Sequence, residues 1–154
     1  MMDVAPLKLR AEDSEDIGVI SSALQDSIVA VRDIGFLADQ RRFALVVNRF
    51  RWEVGQDADG KFQRTHCALA FDTVAAVAMR GIDRGYDDRL LSLLSVEARP
   101  AAAEPGEAKA GRVEIRLQFA GQAAIRLEVD RILCHLEDVG EPWPTDWCPS
   151  HRLD

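Results

Sequence analysis

The strongest chemical signal in the sequence is a basic run at positions 41 to 52, RRFALVVNRFRW. It holds four arginines and no acid, although the whole chain has a formal net charge of -7. Guanidinium groups bind phosphate and carboxylate groups through paired hydrogen bonds, and nearby aromatic rings can stack on a ligand or partner. The run therefore predicts a binding strand, whose candidate binding residues are Arg42, Arg49, Arg51, Phe50 and Trp52.

Alternation along this strand predicts which way the arginines face. Leu45 and Val47 point to one side, and Arg49 and Arg51 continue that face beyond its apolar part. We expect the strand to be covered on both faces at its start and to leave its cover later, where these two arginines emerge. In the alternative interpretation they form a solvated rim and pair with nearby acids such as Glu53.

The same run partly matches the octamer by which RNA-recognition domains present base-stacking aromatic residues. Phe43 stands at one stacking position, but Leu45 and Asn48 occupy the other two. Stacking is what holds single-stranded bases, and the acidic chain as a whole repels a phosphate backbone. Weak binding of single-stranded RNA is therefore only a third hypothesis, and we do not expect nucleic acid as the partner.

A second candidate set pairs cysteines with histidines. His66-Cys67 and Cys134-His135 lie in apolar runs, and Cys148 and His151 stand three residues apart near the end of the sequence. One residue from each pair, together with the last two, would supply the four ligands of Zn²⁺. The same residues could provide a cysteine nucleophile and a histidine base. A small enzyme or zinc protein is therefore the alternative hypothesis, with Cys148 and His151 as the runner-up metal ligands.

Other signatures of catalysis are missing from the sequence. No dinucleotide-binding glycine motif, phosphate loop or nucleophile elbow occurs. This favours a noncatalytic binding or protein-interaction module without a cofactor, although it leaves an unrecorded active site open. The partner would be an unknown protein or an anionic ligand, and a homodimer is one arrangement of such a module.

Composition limits the class of protein further. Of 154 residues, 47% are hydrophobic and 29% are charged, as expected for one folded globular domain. No apolar run approaches the roughly 20 residues that a membrane span requires, so no membrane role is expected. Three cysteines without a secretory leader indicate reduced thiols and a cytoplasmic location.

The elements that must position these residues are mostly strands. Asp13 predicts the N-cap of a helix in which Ile17, Ile20 and Leu24 form an apolar stripe. A period of two predicts strands in most of the remaining chain, whereas 131–139 suits either a strand or a short helix. We therefore predict one α+β domain, 1–154: a mainly antiparallel β sandwich or partly closed barrel with the N-terminal helix packed on it. Residues 100–111 would form a flexible surface insertion, and 140–154 an extended tail.

Two segments suggest an internal duplication. Leu69–Val74 and Leu127–Ile132 share the pattern leucine, any residue, apolar, aspartate, any residue, apolar. Two longer strands precede each segment, and an apolar segment follows each. The chain would then hold two repeated three-strand units related by a pseudo-twofold axis.

With these residues in hand, the chain resembles a family of small alphaproteobacterial proteins known only as domain of unknown function 2948. The resemblance rests on 7–16, Gln25-Asp26, 41–53 and 140–145, and the arginine-rich strand is its most specific part. It would cover nearly the whole chain. The family brings no established activity, cofactor or catalytic residue, and it implies a bacterial cytoplasmic protein.

Overall fold

The structure is a computed structural model that describes residues 5–83, 85, 88–107 and 110–149. It contains one α-helix and ten strands in the described part of the chain. Their bounds are β1 Lys8–Ala11, α1 Ser14–Leu24, β2 Ser27–Ala30, β3 Ile34–Leu37, β4 Arg42–Phe50, β5 Phe62–Phe71, β6 Val74–Arg80, β7 Leu90–Pro100, β8 Val113–Phe119, β9 Ala124–Val129 and β10 Cys134–Thr145.

All ten strands join one antiparallel sheet in the order β1-β10-β5-β4-β2-β7-β8-β9-β6, with β3 paired to β4. β1 and β6 lie at its two ends and do not pair, so the sheet is open. We call β1, β10, β5, β4, β3 and β2 the first half sheet, and β7, β8, β9 and β6 the second half sheet. Buried side chains of both half sheets form one core. The predicted α+β class with an antiparallel sandwich or open barrel is confirmed.

The helix begins and packs as predicted. The Asp13 side chain accepts a hydrogen bond from Asp16 N at 2.8 Å, which satisfies one of the free amides of the first turn. Ile17, Ile20 and Leu24 are buried. The helix lies against β7, where the hydroxyl of Ser21 accepts a hydrogen bond from the backbone amide of Val96. The helix is therefore held on the sheet by a hydrogen bond as well as by its apolar face.

The strand order repeats across the centre of the sheet. From the central β2–β7 pair outward, the order is β2, β4, β5 in one direction and β7, β8, β9 in the other. The next strand of each series is exchanged. β6 follows β5 in the chain but pairs with β9, and β10 follows β9 but pairs with β5. The predicted repeat therefore has four strands per unit instead of three, and each unit gives its fourth strand to the other half sheet.

The exchange occurs at the two segments that the repeat aligned. Asp72 N donates to Leu133 O at 2.9 Å, and the equivalent amide of Asp130 donates to Thr73 O at 3.0 Å. Each aspartate also forms an ion pair with an arginine. Asp72 pairs with Arg42, the first residue of β4, at 2.7 Å, and Asp130 pairs with Arg112, just before β8, at 3.1 Å. The aspartates thus turn the chain and pair with surface arginines at matched positions.

The remaining segments join these strands. The 131–139 segment, ambiguous in sequence, contains the first half of β10. β10 then continues through residues 140–145 of the predicted tail, and Thr145 pairs with Phe62. Residues 101–112, which include most of the predicted insertion, connect β7 to β8, and Ala101 N donates to Arg112 O at 3.0 Å.

Candidate functional site

Arg49 lies inside the molecule. Leu45 and Val47 are buried on the inner face of β4, and alternation places Arg49 next on that face, with its side chain 0% exposed. Alternation correctly put Arg49 on the same face as Leu45 and Val47, but the predicted emergence of Arg49 is wrong. It is wrong because the cover of the inner face continues through the loop after β4 and through β10.

Two carboxylates satisfy the guanidinium of Arg49. Asp138 accepts from Nε at 2.7 Å and from Nη2 at 2.6 Å. Glu53 accepts from Nη1 at 3.0 Å and from Nη2 at 2.7 Å. The Leu7 amide donates to Asp138 at 2.7 Å and ties the N-terminal segment to the same group. We call Arg49, Glu53 and Asp138 the buried ion cluster.

The ionisation of this cluster follows from its contacts. Burial would lower the pKa of Arg49, but hydrogen bonds to Asp138 and Glu53 outweigh it and raise that pKa. For both acids burial would raise the pKa, and the hydrogen bonds from Arg49 outweigh it, so each carboxyl has a pKa below its usual value. All three groups are therefore held in their charged forms, and the arginine has little left to offer a ligand.

Arg51 is also buried, with an exposed fraction of 5%. Its Nη1 donates to the side chain of Gln63, and its Nε lies 3.8 Å from Glu53. The expectation that Arg51 emerges is therefore wrong as well, since its side chain bonds to Gln63 at the start of β5 and lies beside Glu53. A cavity of about 30 Å³ beside Arg51, Thr65 and Asp138 has room for little more than a water molecule.

The aromatic residues of the predicted site form a cluster at one end of β4. The rings of Phe50 and Trp52 are 4.6 Å apart, and Phe62 lies 5.4 Å from Phe50. Phe50 is buried, whereas Trp52 is 39% exposed. Arg42 begins the same strand, about ten residues and roughly 30 Å away. The structure therefore does not bring Arg42 together with the other predicted residues, and a binding role for the set stays a prediction.

The predicted cysteine and histidine set is dispersed. Cys67 and Cys134 face the core, whereas His66 and His135 are on the exposed face of their strands. Burial raises the pKa of Cys67 to about 12 and also raises that of Cys134, so both thiols stay protonated and unreactive near neutral pH. Across the described ranges, no group of three or more histidine, cysteine, aspartate or glutamate residues could hold a metal ion.

The two runner-up metal ligands can be placed only in part. Cys148 is half-buried, and its thiol lies 3.6 Å from the carbonyl oxygen of Pro149. His151 lies outside the described residues.

Sequence analysis missed a second group of arginines. Arg116 on β8 and Arg126 on β9 are direct partners in the antiparallel register, on the outer face of the second half sheet. Arg80 ends the next strand, β6, opposite Ala124. The three arginines line a shallow cavity of about 180 Å³. We call it the arginine pocket; its lining residues are Ala78, Met79, Arg80, Arg116, Ala124 and Arg126.

The charges of the arginine pocket are incompletely balanced. Arg126 Nε lies 3.7 Å from Glu114, whose carboxylate is also bound by Arg99. Within the described residues, Arg80 and Arg116 form no ion pair, and the buried Nε of Arg116 has no hydrogen-bond partner. Like charges directly opposite each other in a sheet are destabilising. The pocket therefore concentrates positive charge that Glu114, and Glu97 opposite Arg116 on β7, neutralise only in part.

Only part of the signal for this pocket was present in the sequence. A two-residue turn at Gly121-Gln122, which the residue types favour, would set Arg116 opposite Leu127. The loop takes one more residue, so Gln118 lies opposite Ala124 and Arg116 opposite Arg126. The turn residues alone therefore do not reveal the opposed arginines.

Fold and site together define an open antiparallel sheet of two exchanged units, with a buried ion cluster in one half and an arginine pocket outside the other. The chain belongs to the family described as Protein of unknown function (DUF2948), whose sequence model matches residues 7–151. No curated protein and no solved structure matches the chain. Among the residues described, no helix has the length and apolar character needed to cross a membrane.

Proposed function

We propose that the protein is a noncatalytic binding module that takes an anionic ligand in the arginine pocket. The observation that carries this proposal is the direct opposition of Arg116 and Arg126 beside Arg80. An anion would turn a repulsive arrangement into an attractive one, because each guanidinium can donate paired hydrogen bonds to oxygen atoms.

The lining of the pocket supports binding without catalysis. Besides the arginines it consists of Ala78, Met79 and Ala124, which carry no acid, base or nucleophile. Arginine does not lose its proton in proteins, so it cannot act as a general base. A small anion also suits the chain better than a polyanion, since the net charge of -7 opposes approach of a long phosphate backbone.

Thermal unfolding in the presence of inorganic phosphate or sulfate tests the proposal. We expect either anion to raise the Tm of the wild-type protein at constant ionic strength, because a ligand that binds only the folded state stabilises it. The Arg116→Gln/Arg126→Gln variant should lose this increase. Arg10→Gln is the matched control, since Arg10 is exposed and pairs with Glu12 away from the pocket. Equal anion-dependent shifts in all three proteins would overturn the proposal.

Several finer expectations from the sequence also stay predictions. They are a bacterial, alphaproteobacterial origin, a cytoplasmic location, a homodimer, and a protein interaction made through the basic strand. For the last of these, Trp52 is the best supported residue because its ring is partly exposed. Arg49 and Arg51 are less well supported, because their side chains are buried and bonded within the protein.

A further inference from the structure

We propose that the ligand of the arginine pocket is a phosphate monoester. This inference rests on the proposed function and specifies its ligand. Two observations separate a monoester from other anions: the number of positive charges left without a partner, and the apolar space beside them.

The charge count favours a dianion. Glu114 lies near Arg126 and also binds Arg99, so one of the three pocket arginines is partly neutralised. Glu97 lies opposite Arg116 in the register of β7 and β8 without forming an ion pair, and Arg80 has no ion-pair partner in the part of the chain that the structure describes. A phosphate monoester carries about −1.5 to −2 charges at pH 7, which suits a pocket lined by three guanidinium groups and no carboxylate. A carboxylate or a phosphate diester carries one negative charge and would leave more of this positive charge unmatched.

The shape of the pocket favours a substituted phosphate. Its volume of about 180 Å³ has room for several water molecules and therefore for more than a bare phosphate group. Ala78 and Ala124 share the outer face with the arginines and provide an apolar surface beside them, whereas the side chain of Met79 packs against the core. Phosphate oxygens would accept hydrogen bonds from the arginines, while the ester group would cover the two alanines.

The surroundings of the pocket make pH a clean probe of the ligand. The charged groups on the outer faces of β6, β7, β8 and β9 are arginines and glutamates, and these four strands contain no histidine. They are Arg80, Glu97, Arg99, Glu114, Arg116, Arg126 and Glu128. A monoester gains its second charge with a pKa near 6, so a change of affinity centred there would come from the ligand.

The experiment compares methyl phosphate with dimethyl phosphate by calorimetric titration of the whole chain between pH 5 and 7.5. For methyl phosphate we expect affinity to rise about tenfold over this range, following the fraction of dianion. Dimethyl phosphate, which keeps one charge, should bind weakly and without this rise. Phenyl phosphate should bind more tightly than methyl phosphate, because its ring can cover the apolar surface.

Variants link the signal to the pocket. Arg116→Gln should remove most of the preference for methyl phosphate over dimethyl phosphate, and Arg116→Lys should restore part of it. Arg10→Gln should behave as wild type. Heteronuclear NMR spectra of each variant would show that the fold is retained, so a loss of binding can be assigned to the missing guanidinium.

The source of the monoester is distinguished by two further probes. A short peptide with one phosphoserine represents a modified protein, and glycerol 3-phosphate represents a phosphorylated small molecule. Tighter binding of either one than of methyl phosphate supports the inference and identifies the source.

The two proposals can fail separately. If dimethyl phosphate or acetate binds as tightly as methyl phosphate, with the same pH dependence, the monoester inference is wrong while anion binding stands. If no anion shows binding that depends on Arg116 and Arg126, both proposals are wrong.

Discussion

The two half sheets have the same strand arrangement but opposite distributions of charge. Inside the first half sheet, Arg49 contacts Asp138. Matching the paired registers of the two units places Phe119 at the position of Arg49 and Met79 at that of Asp138. The inner face is therefore ionic at this level in one half and apolar in the other.

On the outer faces the contrast is reversed. The registers match Val46 to Arg116 and Ala68 to Arg126. Val46 is partly exposed, Ala68 lies beside it on β5 and Glu137 follows on β10, so these positions of the first half sheet carry two apolar side chains and an acid. The second half sheet presents the arginine pocket at the same place.

Loop length explains how one backbone tolerates both interiors. Residues 51–61 join β4 to β5, whereas only residues 120–123 join β8 to β9. The longer loop supplies Glu53, and the N-terminal segment supplies the amide of Leu7. A buried charge is tolerated only with such partners, and the tight turn of the second unit offers none. In this fold the connections, and not the strands, determine where charge can be buried.

The largest predicted effect comes from breaking the buried ion cluster. Asp138→Ala removes a carboxylate that is 4% exposed and leaves Arg49 with only Glu53. We expect a loss of about 3–5 kcal/mol in the free energy of unfolding, measured with urea. Glu137→Ala is the matched control, because it removes the same charge from the exposed face of the same strand. Equal losses in both variants would mean that the cluster has no special role in stability.

Acid should weaken the first half sheet more than the second. The pKa values of Glu53 and Asp138 are lowered in the folded state, so their contribution is complete above the unfolded values of about 4 and is lost as pH falls through the folded values. Hydrogen exchange measured between pH 5 and 2.5, after correction for its intrinsic rate, should show amides of β4 and β10 losing protection before those of β8 and β9. The reverse order would contradict this explanation.

A smaller effect is expected when the first half is made to resemble the second. The Arg49→Met/Asp138→Leu variant replaces the ion pair by apolar groups, and such replacements are often neutral or stabilising. We expect its free energy of unfolding to lie within about 2 kcal/mol of wild type and well above that of either single variant. A double variant as unstable as the sum of the two single changes would show that the inner face requires charge.

The smallest effect is expected in the arginine pocket. Arg116→Gln relieves the opposition to Arg126 but also removes the cross-strand attraction to Glu97, so the free energy of unfolding should change by less than about 1 kcal/mol at low salt. The difference should shrink at high salt, because exposed charges are screened. Urea unfolding at two salt concentrations measures both. A clear loss of stability would show that Arg116 has a structural role.

Much of the fold could be predicted because its signals are local. The N-cap at Asp13 and the period of the strands depend on neighbouring residues. The aligned aspartates even marked the two crossing points. The exchange of fourth strands could not be predicted, because β10 pairs with β5 and β6 with β9, and no local pattern specifies such distant partners.

The same limit explains the errors at the site. Alternation placed Arg49 on the face of Leu45 and Val47, but its burial depends on Asp138, which lies 89 residues further along the chain. Without that partner, a solvent-exposed arginine was the reasonable expectation. The arginine pocket depends on the register of one hairpin, and the exact length of the loop decides that register, which the turn residues alone do not specify.

The exchange of fourth strands has a consequence for the order in which the chain assembles during synthesis. β10 is the last described strand to be made, and it fills the place between β1 and β5. Until β10 is synthesised, β5 keeps an unpaired edge and the first half sheet stays incomplete. Long-range pairings of this kind fold slowly and expose edges that can aggregate. A chain shortened before Cys134 should therefore fail to fold, even though it would retain the β4–β5 and β8–β9 hairpins.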